Sequence, residues 1–212
     1  MKKLILILFV LTAWSGLKAQ KDKDAGALLK AVINKISEYK NFEADLSYTM
    51  VNKEMDINEE KNGKIYVEGD KYRIEMPGQI IISDGKTLWT YLEDSQEVMI
   101  SNMEDNDQSI SPTKILTSYN KDYKAKFGSD PKYKKGSLKL IYLKSDKNPN
   151  FEKMSVVVDA DKLELKSFSV YDKNGNVFTY NILNLKPNVD LPEDTFTFDP
   201  KKYPDVEVVD MR

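Results

Sequence analysis

Apolar residues recur at three- and four-residue spacing in one clear stretch of the chain, residues 25–39, with Asp24 in place as an N-cap. That spacing puts them on one side of a helix. The sequence therefore predicts an amphipathic helix over residues 25–39, whose apolar side consists of Leu28, Leu29, Val32, Ile33, Ile36 and Tyr39.

After Asn41 the period changes to two, because Phe42, Ala44, Leu46, Tyr48 and Met50 alternate with polar residues. Comparable alternation recurs through most of the remaining chain, and we expect about eleven strands. Short strands separated only by turns indicate an antiparallel meander. The clearest predicted strands are residues 42–50, 63–69, 72–76, 80–82, 88–92, 98–101, 138–143, 154–159, 165–171 and 177–183.

One segment, residues 102–135, interrupts the strand pattern. Its first part is acidic and polar, and Ser111-Pro112 then begins a short helical segment that carries Ile115, Leu116 and Tyr119. A second helical turn is predicted at residues 122–127. A twisted sheet of about ten strands curls, and its concave face needs a cover. The fold class is therefore mainly β with α: an unclosed antiparallel β-barrel covered by a lid of short helices and the N-terminal helix. Periodicity leaves open whether the interior is filled or hollow.

The N-terminus has the pattern of a secretory signal peptide. Met1-Lys2-Lys3 is basic, residues 4–13 are apolar but too short to span a bilayer, and Ala19 stands at the expected cleavage position. A buried N-terminal helix is the alternative. We expect residues 1–19 to be removed and residues 20–212 to form one domain, soluble outside the cytoplasm. The chain has no Cys, so lipid attachment at the cleavage site is excluded.

Composition excludes several classes of chemistry. The chain has neither His nor Cys, so Ser-His-Asp and Cys-His nucleophiles, zinc sites with those ligands, and iron–sulfur ligation are not available. Removal of Lys2, Lys3 and Lys18 leaves 29 basic against 34 acidic residues, a net charge of −5. That balance argues against nucleic acid as a partner and against plain electrostatic docking to anionic lipid.

Two short motifs have a structural interpretation and a functional one. Ser83-Asp84-Gly85-Lys86 lacks the glycine spacing of a phosphate loop and joins two strands. We interpret it as a tight turn in which Asp84 accepts hydrogen bonds from the turn and Gly85 supplies a positive φ. The acidic residues Glu104, Asp105 and Asp107 lack the spacing of an EF-hand and are interpreted as a solvated loop.

Three stretches, in order along the chain, resemble the outer-membrane lipoprotein carrier proteins, the LolA family of Gram-negative envelopes. The resemblance is densest at residues 81–91, Ile81-Ile82-Ser83-Asp84-Gly85-Lys86-Thr87-Leu88-Trp89 followed by Tyr91. The upstream pattern at residues 63–67 and 72–75 is similar to the family's second and third strands. The closing stretch Phe196-Thr197-Phe198-Asp199-Pro200 also resembles the family.

The resemblance implies an unclosed barrel with a helical lid around an apolar cavity that shelters the acyl chains of lipoproteins crossing the periplasm. It also implies an inner-membrane ATP-driven transporter that releases the cargo, an outer-membrane acceptor, a monomeric carrier, and no catalytic residue, metal or cofactor. Lipid-binding residues are expected on one alternating face and on the lid. They are Leu46, Tyr48, Met50, Tyr72, Ile74, Met76, Ile80, Ile82, Trp89, Tyr91, Ile115, Leu116 and Tyr119.

The sequence departs from the family at one turn. Family members carry a basic residue before a proline at the turn into the third strand, where it bonds to the lid; the matching turn here is Glu68-Gly69-Asp70. Lys71 or Arg73 is a candidate replacement, and the alternative is that the lid is held in another way. Two other functions stay open: a periplasmic lipid- or lipoprotein-binding sensor of the same fold, and a hydrolase using paired carboxylates, although no carboxylate spacing stands out.

Overall fold

The computed structural model describes residues 13–103, 123–144 and 151–212. These residues form one helix, α1 (Ala13–Ser37), and a single sheet of twelve strands. Short 3₁₀ turns lie at Pro131–Tyr133 and Pro200–Lys202. The strands are β1 (Phe42–Asn52), β2 (Ile57–Glu68), β3 (Lys71–Met76), β4 (Gln79–Ser83), β5 (Thr87–Leu92), β6 (Glu97–Asn102), β7 (Lys124–Phe127), β8 (Leu138–Lys144), β9 (Phe151–Asp159), β10 (Glu164–Asp172), β11 (Val177–Pro187) and β12 (Glu207–Asp210).

Helix α1 confirms the predicted amphipathic helix but not its start. Because the helix already includes Ala13, Asp24 lies inside it and is not the N-cap that the sequence predicted. The helix ends two residues earlier than predicted, in a tight last turn where the N–H groups of Glu38 and Tyr39 donate to the carbonyls of Lys35 and Ile36 at 3.2 and 3.1 Å. Among the described residues, no helix has the length and apolar character needed to cross a bilayer.

The sheet consists of two meanders joined through the first strand. Its order is β12-β6-β5-β4-β3-β2-β1-β11-β10-β9-β8-β7. Strand β1 pairs on one side with β2 and on the other with β11, far away in sequence, with Leu46 opposite Ile182 and Tyr48 opposite Tyr180. In the described residues β7 and β12 each have one neighbouring strand, so the sheet is unclosed as predicted.

The two edge strands of the sheet, β7 and β12, differ from the secondary structure and pairing that the sequence predicted. The helical turn expected at residues 122–127 is wrong for Lys124–Phe127, which is strand β7. Its Ala125 and Phe127 alternate with lysines and pack against the cluster beneath α1, so the true period is two. Strand β12 pairs with β6 in parallel, whereas the sequence predicted antiparallel neighbours throughout.

The sheet has an inner face, which packs against α1, and an outer face. On the inner face, Ala25, Leu29 and Val32 of α1 join Ile141, Met154 and Val156 of β8 and β9 in one buried cluster. A second inner cluster covers β1, β2, β3 and β5, and among the described side chains of α1, those from Asp24 onward, only that of Ile36 reaches it, with Tyr39 just beyond the helix end. Helix α1 therefore lies across the β7–β11 half of the sheet.

Candidate functional site

Six of the predicted lipid-binding residues share the inner face. Leu46, Tyr48 and Met50 lie opposite Ile182, Tyr180 and Phe178 of β11, and Ile182 and Phe178 pack against the cluster beneath α1. Pairing through β2 places Tyr72 and Ile74 on the same side, and Met76 packs against them. The three most buried are Leu46, Tyr72 and Ile74.

Four others lie on the outer face, so the prediction of one shared face is wrong. Ile80 and Ile82 stand opposite Glu75 and Arg73, and Tyr91 and Trp89 stand opposite Ile80 and Ile82. The chain segment before β12 covers this outer cluster through Phe198, Tyr203 and Val206. The rings of Tyr91, Phe198 and Tyr203 are 4.6–5.8 Å apart.

The error arises at the β3–β4 hairpin. Met76 pairs with Gln79 across the two-residue turn Pro77-Gly78, and this pairing puts Ile81 and not its neighbours on the inner face. Because β4 contains Ile80-Ile81-Ile82, alternation cannot say which face of the strand is inner. The two-residue turn is the signal that could have decided the register. Sequence reasoning therefore missed the inner-face residues Ile81 of β4 and Leu88 of β5.

The predicted lid residues Ile115, Leu116 and Tyr119 lie outside the described residues, as do Ser111-Pro112 and the acidic residues Glu104, Asp105 and Asp107. No grouping of three or more acidic side chains with metal-binding geometry occurs in residues 13–103, 123–144 and 151–212.

Three tyrosines of the inner face stay neutral. The Tyr72 hydroxyl donates to Met103 Sδ at 3.8 Å, and burial raises the pKa of Tyr72 to about 12. The rings of Tyr48 and Tyr180 lie 5.1 Å apart, and burial raises the pKa of Tyr180 to about 12 and that of Tyr48 above its usual value. These side chains present ring surface without charge at any physiological pH.

A groove of about 970 Å³ opens between the β1–β2 hairpin and the β3–β4 turn. Inner-face Leu46 and Met76 contribute to its wall, as do Arg73 and Tyr91 of the outer face. The groove lies where the β2–β3 pairing ends, at Lys64 opposite Glu75. It thus connects the two faces at the edge of the inner clusters.

Neither candidate for the family's basic residue points to the inner face. Lys71 donates to Glu68 Oε1 at 3.0 Å and lies 5.7 Å from the ring centroid of Phe196 in the covering segment. Arg73 Nε donates to Glu75 Oε1 at 2.6 Å. Burial of the guanidinium opposes its charge, but Glu75 and Tyr203 outweigh burial and raise the pKa of Arg73. Both side chains are engaged on the outer face, and the lid residues that either would have to contact lie outside the described residues.

The turn interpretation of residues 83–86 is confirmed. Asp84 Oδ1 accepts hydrogen bonds from the N–H groups of Lys86 and Thr87 at 2.8 and 2.7 Å, and Gly85 has φ 92°. Ser83 is fully buried, and its hydroxyl oxygen accepts from the Gly85 N–H at 3.1 Å. The side chains of Ser83 and Asp84 therefore serve the turn itself.

Comparison with known proteins agrees with this geometry. Residues 37–199 match the model of a family described as outer membrane lipoprotein carrier protein LolA. The chain belongs to the LolA family. The match begins at the end of α1 and ends just before the Pro200–Lys202 turn, so it takes in strands β1 to β11 and Phe198 of the covering segment but not Tyr203 or Val206.

Individual relatives are distant. The chain is 28% identical over 210 residues to an outer-membrane lipoprotein carrier protein of Chromobacterium violaceum, covering 97% of this chain and 98% of that protein. It is 28% identical over 129 residues to one of Legionella pneumophila (strain Lens), and that match covers 60% of this chain and 62% of the relative's length. An uncharacterized conserved protein of Thermus thermophilus has the same fold, with a TM-score of 0.55 and 16% identity, over 88% of this chain and 99% of that one.

Proposed function

We propose that this member of the LolA family is a soluble periplasmic carrier that shelters the acyl chains of lipoproteins against its inner face. The observation that carries the proposal is an inner face that holds two apolar clusters, of which α1 covers the β7–β11 half, while Ile36 is the one described side chain of α1 that contacts the second cluster. Family membership supplies the lipoprotein as the cargo class.

Moving an acyl chain through water without a carrier costs a large free energy. Each methylene transferred from a lipid to water costs about 0.8 kcal/mol, so a sixteen-carbon chain resists leaving the membrane by roughly 12 kcal/mol. A carrier must therefore enclose the chain in apolar surface and still release it. Adaptable side chains such as Met76 and Met50, and neutral aromatic rings such as Tyr48 and Tyr180, suit this requirement because they hold an acyl chain without fixed polar contacts.

The finer parts of the proposal follow from the sequence and the family. Signal peptide cleavage after Ala19 would release residues 20–212 into the periplasm. An inner-membrane ATP-driven transporter would then load the carrier, and an outer-membrane acceptor would unload it. The predicted lid residues Ile115, Leu116 and Tyr119 belong to the same proposal and would contact cargo together with the inner face.

The experiment is extraction of the protein, purified from a periplasmic fraction, with organic solvent, followed by mass spectrometry of the extract. It is paired with an assay of release of an acylated protein from inner-membrane vesicles. Bound lipid and release are the expected results. Absence of both would overturn the proposal. Transfer of a labelled lipoprotein to outer-membrane vesicles distinguishes a carrier from a sensor of the same fold. A sensor would bind the labelled lipoprotein without passing it on.

Trp89 offers a test of which face holds the cargo. Trp14 and Trp89 are the two tryptophans of the chain, and cleavage after Ala19 leaves only Trp89, on the outer face. A brominated fatty acid bound at the inner face should leave Trp89 fluorescence nearly unchanged. The same fatty acid should quench the tryptophan fluorescence of a W89F/Y72W variant, whose single tryptophan replaces the inner-face ring of Tyr72. Equal quenching of both proteins would contradict the inner-face site.

A further inference from the structure

Positive charge is concentrated in one part of the fold. Residues 123–144 contain seven lysines and one aspartate, a net charge of +6, whereas the whole chain carries −2. This segment comprises edge strand β7, the connection at residues 128–137 and strand β8. The chain is therefore negative overall but has a local positive potential at one edge of the sheet.

The connection and the start of β8 hold a group of six residues, which we name the basic loop: Lys132, Tyr133, Lys134, Lys135, Leu138 and Lys139. Lys132, Lys134 and Lys135 are exposed, Lys139 is half-buried, and Leu138 is exposed to 39%. None of its four lysines forms an ion pair with a described residue. Lys139 Nζ donates to the Gly136 carbonyl at 2.7 Å, and Lys132 Nζ lies 5.3 Å from the ring centroid of Tyr133.

The basic loop is held in place from both ends. Asp130 Oδ1 accepts from the Lys132 N–H at 2.9 Å, and the N–H groups of Tyr133 and Lys134 close a 3₁₀ turn on the carbonyls of Asp130 and Pro131 at 3.1 and 3.3 Å. At the far end, the Ala160 N–H donates to the Ser137 carbonyl at 2.8 Å and ties the loop to the β9–β10 turn. The lysines thus project from an ordered backbone.

Two neighbouring carboxylates, Asp130 and Asp159, reduce this charge but leave the four lysines of the loop with a net charge of +2. Asp130 and Asp159 are engaged with backbone N–H groups, Asp159 Oδ1 accepting from Asp161 and Lys162 at 3.1 Å each. Those hydrogen bonds, first that of the Lys162 N–H, lower the pKa of Asp159. Asp161 and Lys162 in the adjacent turn offset one another.

We propose that the basic loop docks the protein on the surface of an anionic phospholipid bilayer. Exposed lysines near such a surface each contribute attraction without a fixed partner geometry, which matches the exposed Lys132, Lys134 and Lys135, none of which forms an ion pair with a described residue. An exposed Leu138 and a half-buried Tyr133 beside them supply apolar contact at the lipid interface.

A bilayer fits the composition of the loop better than an acidic protein does. Recognition of individual carboxylates favours arginine, whose planar guanidinium binds them in a bidentate way, and residues 123–144 contain no arginine. Lysines on long flexible side chains suit a diffuse layer of phosphates. This inference does not rest on the carrier proposal, because docking of the cargo-free protein and uptake of an acyl probe are measured separately.

The test is co-sedimentation of the purified chain, residues 20–212, with vesicles of phosphatidylcholine alone or mixed equally with phosphatidylglycerol. We expect binding to the mixed vesicles, little to the neutral ones, and loss of binding when salt is raised to about 0.5 M, which shortens the Debye length to a few ångströms. The K132Q/K134Q/K135Q variant should bind about 100-fold more weakly, since each lysine near the surface contributes about a factor of five.

The matched control is K30Q/K53Q/K201Q, which removes the same charge from three exposed lysines outside the loop. It should bind within about threefold of the parent, because only charges within about a Debye length of the bilayer contribute strongly. Circular dichroism of both variants verifies that they are folded. Equal binding to neutral and anionic vesicles, an equal loss in both triple variants, or binding to an acidic protein with none to vesicles would each overturn the proposal.

Discussion

The Tyr72 hydroxyl lies 3.8 Å from the Met103 sulfur in the inner face of the sheet. Tyr72 is 2% exposed and Met103 5% exposed, and thioether sulfur is a weak acceptor. A buried hydroxyl with so weak a partner contributes little to folding, whereas the ring contributes a large apolar area. The pair is also the link between β3 and the residue that follows β6.

Tyr72→Phe should therefore leave the free energy of unfolding within about 1 kcal/mol of the parent, because it removes only a poorly satisfied hydroxyl. Tyr72→Ala should lower it by about 3–5 kcal/mol through the cavity that it leaves. Urea unfolding followed by circular dichroism measures both. A large loss in the phenylalanine variant would show that the hydroxyl has a stronger role than its contact with sulfur indicates.

Alkaline pH should destabilise the protein through two inner-face tyrosines. Burial raises the pKa of Tyr72 and of Tyr180 to about 12, from 10 in the unfolded chain. The folded state therefore holds these protons more tightly, so the contribution is complete below pH 10 and is lost as pH rises towards 12. For a shift of two units it amounts to about 2–3 kcal/mol for each tyrosine.

Urea unfolding between pH 8 and about pH 12 checks the direction. A Y72F/Y180F variant should show a flatter decline than the parent, and Tyr133→Phe in the basic loop serves as a control that leaves the inner face intact. An identical decline in the parent and the double variant would assign the alkaline loss to other groups.

Substitution of two buried isoleucines on neighbouring strands tests lipid binding separately from folding. Ile74 is on the inner face at 7% exposure, and Ile82 is on the outer face at 1%. Replacement of either by alanine should cost about 2–4 kcal/mol of stability. Only Ile74→Ala should weaken the binding of a fluorescent fatty acid, by roughly tenfold, since it removes apolar area from the proposed lipid surface.

Titration of the probe into each variant, under conditions where both are folded, gives the comparison. If Ile82→Ala reduced affinity as much as Ile74→Ala, the loss would reflect general destabilisation and the assignment of faces to function would fail.

Gly63 marks the point where β3 crosses close to β2. A Cβ at this position would collide with the Glu75 carbonyl oxygen and come within 2.9 Å of Met76 Cγ. Gly63→Ala should therefore lower the free energy of unfolding by about 1–3 kcal/mol and disturb the groove beside Met76.

Gly26→Ala is the matched control, because a Cβ on Gly26 in α1 meets nothing within 4 Å. That change should raise stability by about 0.5–1 kcal/mol, the usual gain for alanine over glycine in a helix. Thermal melts of the two variants should move in opposite directions. Shifts of the same sign would contradict the close crossing at Gly63.

Local patterns determined most of the elements and several turns. The alternation in Phe42–Asn52 is a strand, and the turn after Asp172 has the carboxylate accepting from the N–H groups of Asn174 and Asn176 at 2.8 Å each. These features were predictable because they depend on residues within a few positions of one another. The resemblance at residues 81–91 likewise identified the family that the match over residues 37–199 shows.

Tertiary structure decided how the elements combine. Alternation assigns residues within one strand to two sides, but it does not relate the sides of successive strands, and the triple isoleucine of β4 is apolar on both. Pairing across the Met76–Gln79 turn is what puts Ile82 and Trp89 on the outer face, against the sequence-based prediction. The β1–β11 pairing brings together residues more than 130 positions apart, such as Leu46 and Ile182, for which no local pattern exists.

The charge of the protein was likewise determined in part by the sequence and in part by the tertiary structure. Composition alone determined that the chain is acidic overall and lacks the side chains for thiol or imidazole chemistry. It could not show that Lys132, Lys134 and Lys135 stand on one ordered loop while the nearby Asp130 is engaged as a cap. Net charge is a sum without positions, and an electrostatic surface depends on positions, which only the folded chain supplies.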